Sequence, residues 1–150
     1  GAQLTKDFLY RLTNEHDLVK SVLPLVEYHL VPSMYFKNKA KDKTIRFLST
    51  KVNISELLIL ARADFLGRTT AEAMTGVYEA GDWMEKKAKE LGVLYVPPKC
   101  FLQGRDLIES GLEPSKCFGE ILDKIYEKQL SGEIKSKEDA FLYLSKIINL

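Results

Sequence analysis

The chain has little of what most catalytic sites are built from. Its 150 residues include two histidines, two cysteines and one tryptophan. Cys100 and Cys117 make no zinc spacing and read as reduced thiols of a cytoplasmic protein. The nine glycines are dispersed and mostly mark helix ends, so no phosphate-cradling loop is present. There is no serine nucleophile elbow. Nor is there an Asp-x-Asp after a Gly-rich turn, the carboxylate pair that two-metal nucleotidyl transfer requires. No apolar run approaches the roughly 18 residues of a membrane span, and no stretch reads as a signal peptide. Charge of one sign is also missing in excess: Lys plus Arg number 22 and Asp plus Glu 21. Any nucleic-acid site must therefore lie in the local distribution of charge.

What is present is helical periodicity, on a composition ordinary for a globular protein, 45% hydrophobic and 29% charged. The length fits one domain, or one with a small appendage. It suffices to bury roughly two thirds of the surface of the unfolded chain. The Gly-Ala start without Met leads at once into a helical pattern. It reads as a tag scar at Gly1 on a chain beginning inside something larger.

The spacing predicts a short amphipathic helix over 4–13. A second runs from an Asn14 cap to about Leu30, with Asp17 near the positive end of its dipole and Pro24 expected to kink it. "VPSMYFKN" reads as a loop. Helix "KDKTIRFLSTKV" follows, then "ISELLILARADFLG" between Asn53 and Gly67, then a long helix from Thr69 or Thr70 to Leu91, closed by Gly92. "VLYVPPK" is apolar and extended, and marks a boundary. Beyond it "GRDLIESG", "PSKCFGEILDKIYEKQLSG", with Pro114 near its start, and "KEDAFLYLSKIINL", capped by Ser136, read as helices. The expected class is all-α: an irregular bundle of about five helices over 1–92, then a smaller helical tail over 93–150.

Several polar residues bear on function. His16 and Asp17 form an adjacent His-Asp pair, but in the first turn of a helix the capping explanation covers both without a metal. His29 lies i+7, i+4 and i+3 from Val22, Leu25 and Val26, and Asp64 stands in the same relation to Leu57, Leu60 and Ala61. The spacing turns both toward the core. A buried carboxylate needs a partner, either a metal ion or a hydrogen bond from a His, an Arg or a helix terminus. With so few histidines no metal site is expected, and His29 and Asp64 are only its weak candidates. Basic residues cluster in "KNKAKDKTIR", which carries Lys37, Lys39, Lys41, Lys43 and Arg46 around one acid. Arg62 and Arg68 follow. Such a run is ordinarily a solvated face. Beside Tyr35 and Phe36 it also has the makings of a phosphate-tracking surface.

Two stretches in order carry a resemblance. "LVEYHLVPSMYF…KDKTIRFLSTKVNISELLILARADFLGRTT" resembles the second half of the HD-type domain of bacterial tRNA nucleotidyltransferases (CCA-adding enzymes) and poly(A) polymerases. "GRDLIESGLEPS…FGEIL…QLSGEI…EDA" is similar to the C-terminal tail of the same family. Together they cover nearly the whole chain from about Leu4. The resemblance implies an RNA-binding C-terminal portion that holds the tRNA acceptor arm, or another RNA 3′ end. The N-terminal catalytic head, with its Mg2+ and nucleoside triphosphate, would be a partner outside this chain, which holds no cofactor of its own and no catalytic residue. Of the family's HD pattern only Asp64 matches, as the closing aspartate of "ARAD", with His29 of "EYH" as an accessory. The upstream His and His-Asp pair would precede Leu4.

The RNA-binding residues expected on this reading are Lys39, Lys41, Lys43, Arg46, Arg68 and Arg105. Arg105 has the alternative of pairing with Asp106 or Glu109, and each of the others that of a solvated surface charge. Two further readings stand beside it: a remnant of an HD-type metal-dependent phosphohydrolase, and a structural or oligomerisation module. No membrane partner is expected.

Overall fold

The computed structural model describes residues 1–148. Ten helices and no strand are found among them, so the chain is all-α. The chain divides into two compact units, Gly1–Pro97 and the remainder from Pro98 onward.

The first unit holds α1 (Ala2–Leu12), α2 (His16–Tyr28), α3 (Val31–Lys37), α4 (Asp42–Ser49), α5 (Ile54–Leu66), α6 (Ala71–Met74) and α7 (Glu79–Glu90). Helix α7 packs against α3, α4 and α5, and α2 against α5. The core at their meeting place includes Ile45, Leu48, Ile54, Leu57, Met84 and Ala88, with Leu25, Tyr28, Tyr35 and Trp83 packed around it. Val93 and Leu94 belong to the same core, so the extended stretch straps the first unit before the chain moves on. The Leu94 carbonyl accepts the Ser55 N–H at 2.9 Å, satisfying one of the orphan donors in the first turn of α5.

Side-chain caps explain two helix starts in this unit. Asn53 Oδ1 accepts the Glu56 N–H at 3.3 Å, and Thr70 Oγ1 accepts the Ala73 N–H at the same distance. The second helix begins one residue later than its Asn14 signal. Glu15 stands at the N-cap, its N–H held by Thr13 Oγ1 at 3.1 Å, and the helix continues through Pro24.

Two expectations for this unit are corrected. "VPSMYFK" is a helix rather than a loop, because Pro32 sits in its first turn, where no helical N–H is missed. The expected long helix from Thr70 to Leu91 is two helices. Gly76 adopts φ +74°, a left-handed conformation that interrupts the run between Met74 and Glu79. The unit thus has seven helices, not about five.

The second unit holds α8 (Gly104–Glu109), α9 (Cys117–Ser131) and α10 (Lys137–Ile148). Their core is Leu102, Leu107, Ile125, Ile134, Ala140 and Leu144. Gly132, at φ +85°, ends α9, and Ser136 Oγ accepts the Asp139 N–H at 3.1 Å at the head of α10. The expected end of that last helix, Asn149 and Leu150, lies outside the described residues. Buried Asp106 ties two helices together. It accepts the Gln103 N–H at 2.7 Å and the Lys137 ammonium at 2.6 Å. Lys137 first, then the Gln103 N–H, holds its carboxyl below the usual carboxylate value, against the opposing effect of burial.

Candidate nucleic-acid interface

The basic stretch begins where α3 stops. Lys39 has φ +49°, the one non-glycine residue in the left-handed region among those described. The Ala40 N–H reaches back to the Tyr35 carbonyl at 2.9 Å and the Lys39 N–H to Phe36 at 3.2 Å. This is the helix stop that glycine ordinarily makes, and a side chain there costs about 1 kcal/mol. The sequence carries that cost with a lysine, whose side chain is exposed.

Lys41 is the N-cap of α4, Lys43 stands in its first turn and Arg46 in its last. Lys41 and Lys43 are exposed, and Arg46 is half-buried. Cations at a helix N-terminus face the positive end of the macrodipole, an arrangement unfavourable by a few tenths of a kcal/mol each unless an anion lies nearby. The one acid in the stretch, Asp42, is drawn 3.4 Å from Lys87 on α7. Among the described residues Lys39, Lys41, Lys43 and Arg46 form no ion pair.

The other candidates are placed differently. Arg68 pairs with Asp64 one helical turn earlier, and its guanidinium lies 6.0 Å from the centre of the Phe65 ring. Arg62 pairs with Asp82 at 2.7 Å, bridging α5 to α7. Arg105 is exposed on α8. Neither of its expected carboxylates holds it: Asp106 is taken by Lys137, and Arg105 is in no ion pair among the described residues. Of the two aromatic neighbours, only Phe36 keeps an exposed face. Tyr35 packs against the core, and burial raises its hydroxyl pKa. Phe36 tilts against Trp83 at 5.8 Å between centroids.

The weak metal candidates are also accounted for. Asp64 does not face the core; its side chain is 39% exposed. Helix α5 is apolar on nearly every side, so spacing from Leu57 and Ala61 does not define one inward face. In the last turn Arg68 reaches the carboxylate. His29 is half-buried at the C-cap of α2, its Nδ1 2.6 Å from the Val26 carbonyl and so the protonated, donating nitrogen. Among the described residues no three His, Cys, Asp or Glu side chains are grouped so as to hold a metal ion. His16 Nδ1 lies 3.2 Å from the Tyr10 hydroxyl, and Asp17 occupies the first turn of α2.

No sequence motif signalled a cleft of about 380 Å³ on the first unit, between α3, the end of α5 and the break before α7. Gly76, midway along an apparently continuous helix, was its one trace. No helix among the described residues is long and apolar enough to cross a membrane. Comparison with protein-family models, curated proteins and solved structures gave no match.

Proposed function

We propose that this chain is the RNA-holding, C-terminal portion of a cytoplasmic protein of the tRNA nucleotidyltransferase or poly(A) polymerase kind. It would grip the acceptor arm while the 3′ end reaches a catalytic head that supplies Mg2+ and nucleotide. The observation that carries the reading is the stretch from Lys39 to Arg46. It has four cations without ion pairs, a lysine in a conformation that favours glycine, and its one acid engaged by Lys87. Such a surface recognises backbone and shape rather than base sequence, as suits an A-form stem. Lys39, Lys41, Lys43 and Arg46 are the first-ranked phosphate contacts. Arg68 would have to leave Asp64, a small cost for an exposed pair. Arg105 remains a candidate on the second unit.

A labelled acceptor–T-arm minihelix, followed by fluorescence anisotropy, tests this. Each phosphate contact contributes a salt slope of roughly 0.7–0.9, so four contacts weaken binding about 20- to 50-fold between 50 and 150 mM salt. Lys43→Ala with Arg46→Ala should lower the affinity and halve the slope. No binding at 50 mM salt, or the same slope in the variant, would refute the assignment.

A structural or oligomerisation role is the second reading, and one observation favours it. Leu4, Phe8 and Leu12, spaced for one face of α1, are 76%, 57% and 69% exposed, and no residue of that helix is buried. Sedimentation across protein concentration separates the two readings. The phosphohydrolase reading has no comparable support, because Asp64 is held by Arg68 and His29 Nδ1 by its own helix.

A further inference from the structure

The cleft of the first unit is assembled by the break that divides α6 from α7. Its walls are Ser33 and Phe36 of α3, Phe65 of α5, Thr75 and Val77 of the turn, and Tyr78 with Ala80 beyond it; Glu72 and Glu79 complete the lining. Two glycines make it possible. Gly76 turns the chain at φ +74° where a helix would otherwise fill the space. At Gly81 a Cβ would lie 2.5 Å from the Tyr78 ring, so only glycine lets that ring lie flat against α7. Tyr78 is held on two further sides. Its hydroxyl is 2.9 Å from that of Ser33, and its ring stacks on Phe65 with centroids 4.7 Å apart. The wall is therefore fixed before any ligand arrives.

Its lining carries acid and no base, while outside the lining the Arg62 and Arg68 guanidinium groups stand 5.9 and 6.0 Å from the centres of the Tyr78 and Phe65 rings. The lining is largely apolar, with Val77 52% and Phe36 39% exposed. Two carboxylates, Glu72 and Glu79, share it, and no Lys, Arg or His does. Both stand in the first turn of a helix, where a negative charge is favoured. That accounts for acids at these positions but leaves them unpaired: neither carboxylate has an ion-pair or hydrogen-bond partner among the described residues. A phosphate is repelled by such a rim. A neutral apolar ligand would leave both exposed carboxylates without a partner. A bare metal ion has too few ligands here. A cation with an apolar body satisfies both wall and rim, and about 380 Å³ lies at the small end of ligand pockets.

The geometry points to this cleft as a binding site for a small organic ammonium, with its apolar part against Phe36, Val77 and Tyr78 and its cationic head between Glu72 and Glu79. The site is of opposite charge preference to the basic stretch, and it stands without the RNA reading.

Trp83 reports on it, being the sole tryptophan and lying against Phe36. The full chain is titrated, without RNA, with 2-phenylethylammonium and with its neutral counterpart 2-phenylethanol. The ammonium should give a saturable change in Trp83 emission. The alcohol should bind at least about tenfold more weakly, as should the ammonium to the Glu72→Gln/Glu79→Gln variant, since charged hydrogen bonds carry factors of this size. Val77→Arg, which puts the chain's own cation on the wall, should abolish the response. Unchanged circular dichroism and Tm in the variants keep these losses from being unfolding. Equal binding of the alcohol, an unaffected Gln variant, or no saturable response to the ammonium at millimolar concentration would overturn the assignment.

Discussion

Asp106→Ala should destabilise the second unit more than any other single polar substitution there. The carboxylate is buried, with 4% of its side chain exposed, and makes two charge-assisted bonds, to the Gln103 N–H and to Lys137. The first caps α8, a contribution of about 0.5–2 kcal/mol. The second joins a half-exposed lysine to a buried acid, about 1.5–3 kcal/mol for a hydrogen bond to a charged group. Lys137 can return to water once freed, so the sum is discounted to about 2–4 kcal/mol. A unit of about 50 residues has a total stability of only about 3–8 kcal/mol. At a urea m-value near 1 kcal/mol/M the midpoint should fall by roughly 2 M or more.

The assay is urea unfolding of the full chain, followed by far-UV circular dichroism and, for the first unit, by Trp83 emission. Lys137→Met leaves the buried carboxylate with the Gln103 N–H alone and should also cost more than a surface change, while the double variant should cost little more than Asp106→Ala alone and so fall short of the sum of the single costs. The pH dependence has a definite sign. A depressed carboxyl pKa adds stability above the unfolded value, near 3.9, that is lost as pH falls through the folded value. Acid destabilisation from this group therefore begins only below about pH 4 and is absent in Asp106→Asn. A loss under about 0.5 kcal/mol for Asp106→Ala, the range of ordinary surface changes, would refute the reasoning.

Two further outcomes concern the first unit. Gly81→Ala pushes a methyl into the Tyr78 ring and should cost about 1–3 kcal/mol as overpacking, read as a lowered Tm with a changed near-UV tyrosine signal. Asn53→Ala removes the cap of α5 and should cost about 0.5–2 kcal/mol in urea unfolding, whereas Asn53→Asp should keep most of it.

Signals confined to a few neighbouring residues were readable before the structure. Asn53, Thr70 and Ser136 act as caps because a side chain three residues before an N–H needs nothing else to reach it. The all-helical class follows from the same periodicities. Signals with two local meanings were not readable. Pro32 marks a helix start as well as a loop, and a glycine such as Gly76 inside a helical pattern can be tolerated or can break it. Contacts across long stretches of sequence left no trace at all. Nothing in "KAKDK" tells that Asp42 will be drawn to Lys87, 45 residues on. One local contact was missed as well: the apolar neighbours of Asp64 hid Arg68, four residues on, which holds it at the surface. The basic stretch was visible as composition; that its cations stay unpaired was not.

The stretch after the double proline is held in a way that bears on where this chain can be cut. Pro98 and Lys99 offer their carbonyls to Tyr126 Oη and Gln129 Nε2, at 2.8 and 2.7 Å, and Gln129 Oε1 accepts the Phe101 N–H at 3.0 Å. Helix α9 thus grips three residues of its own chain, Pro98, Lys99 and Phe101, as a receptor grips an extended peptide. A recombinant fragment starting at Pro98 takes this clasp with it. One starting at Leu102 loses the partners of the Gln129 amide and of the Tyr126 hydroxyl, and with them the apolar cover that Phe101 gives the core of the second unit. The workable seam is the bond between the two prolines, several residues before the first helix of the second unit begins.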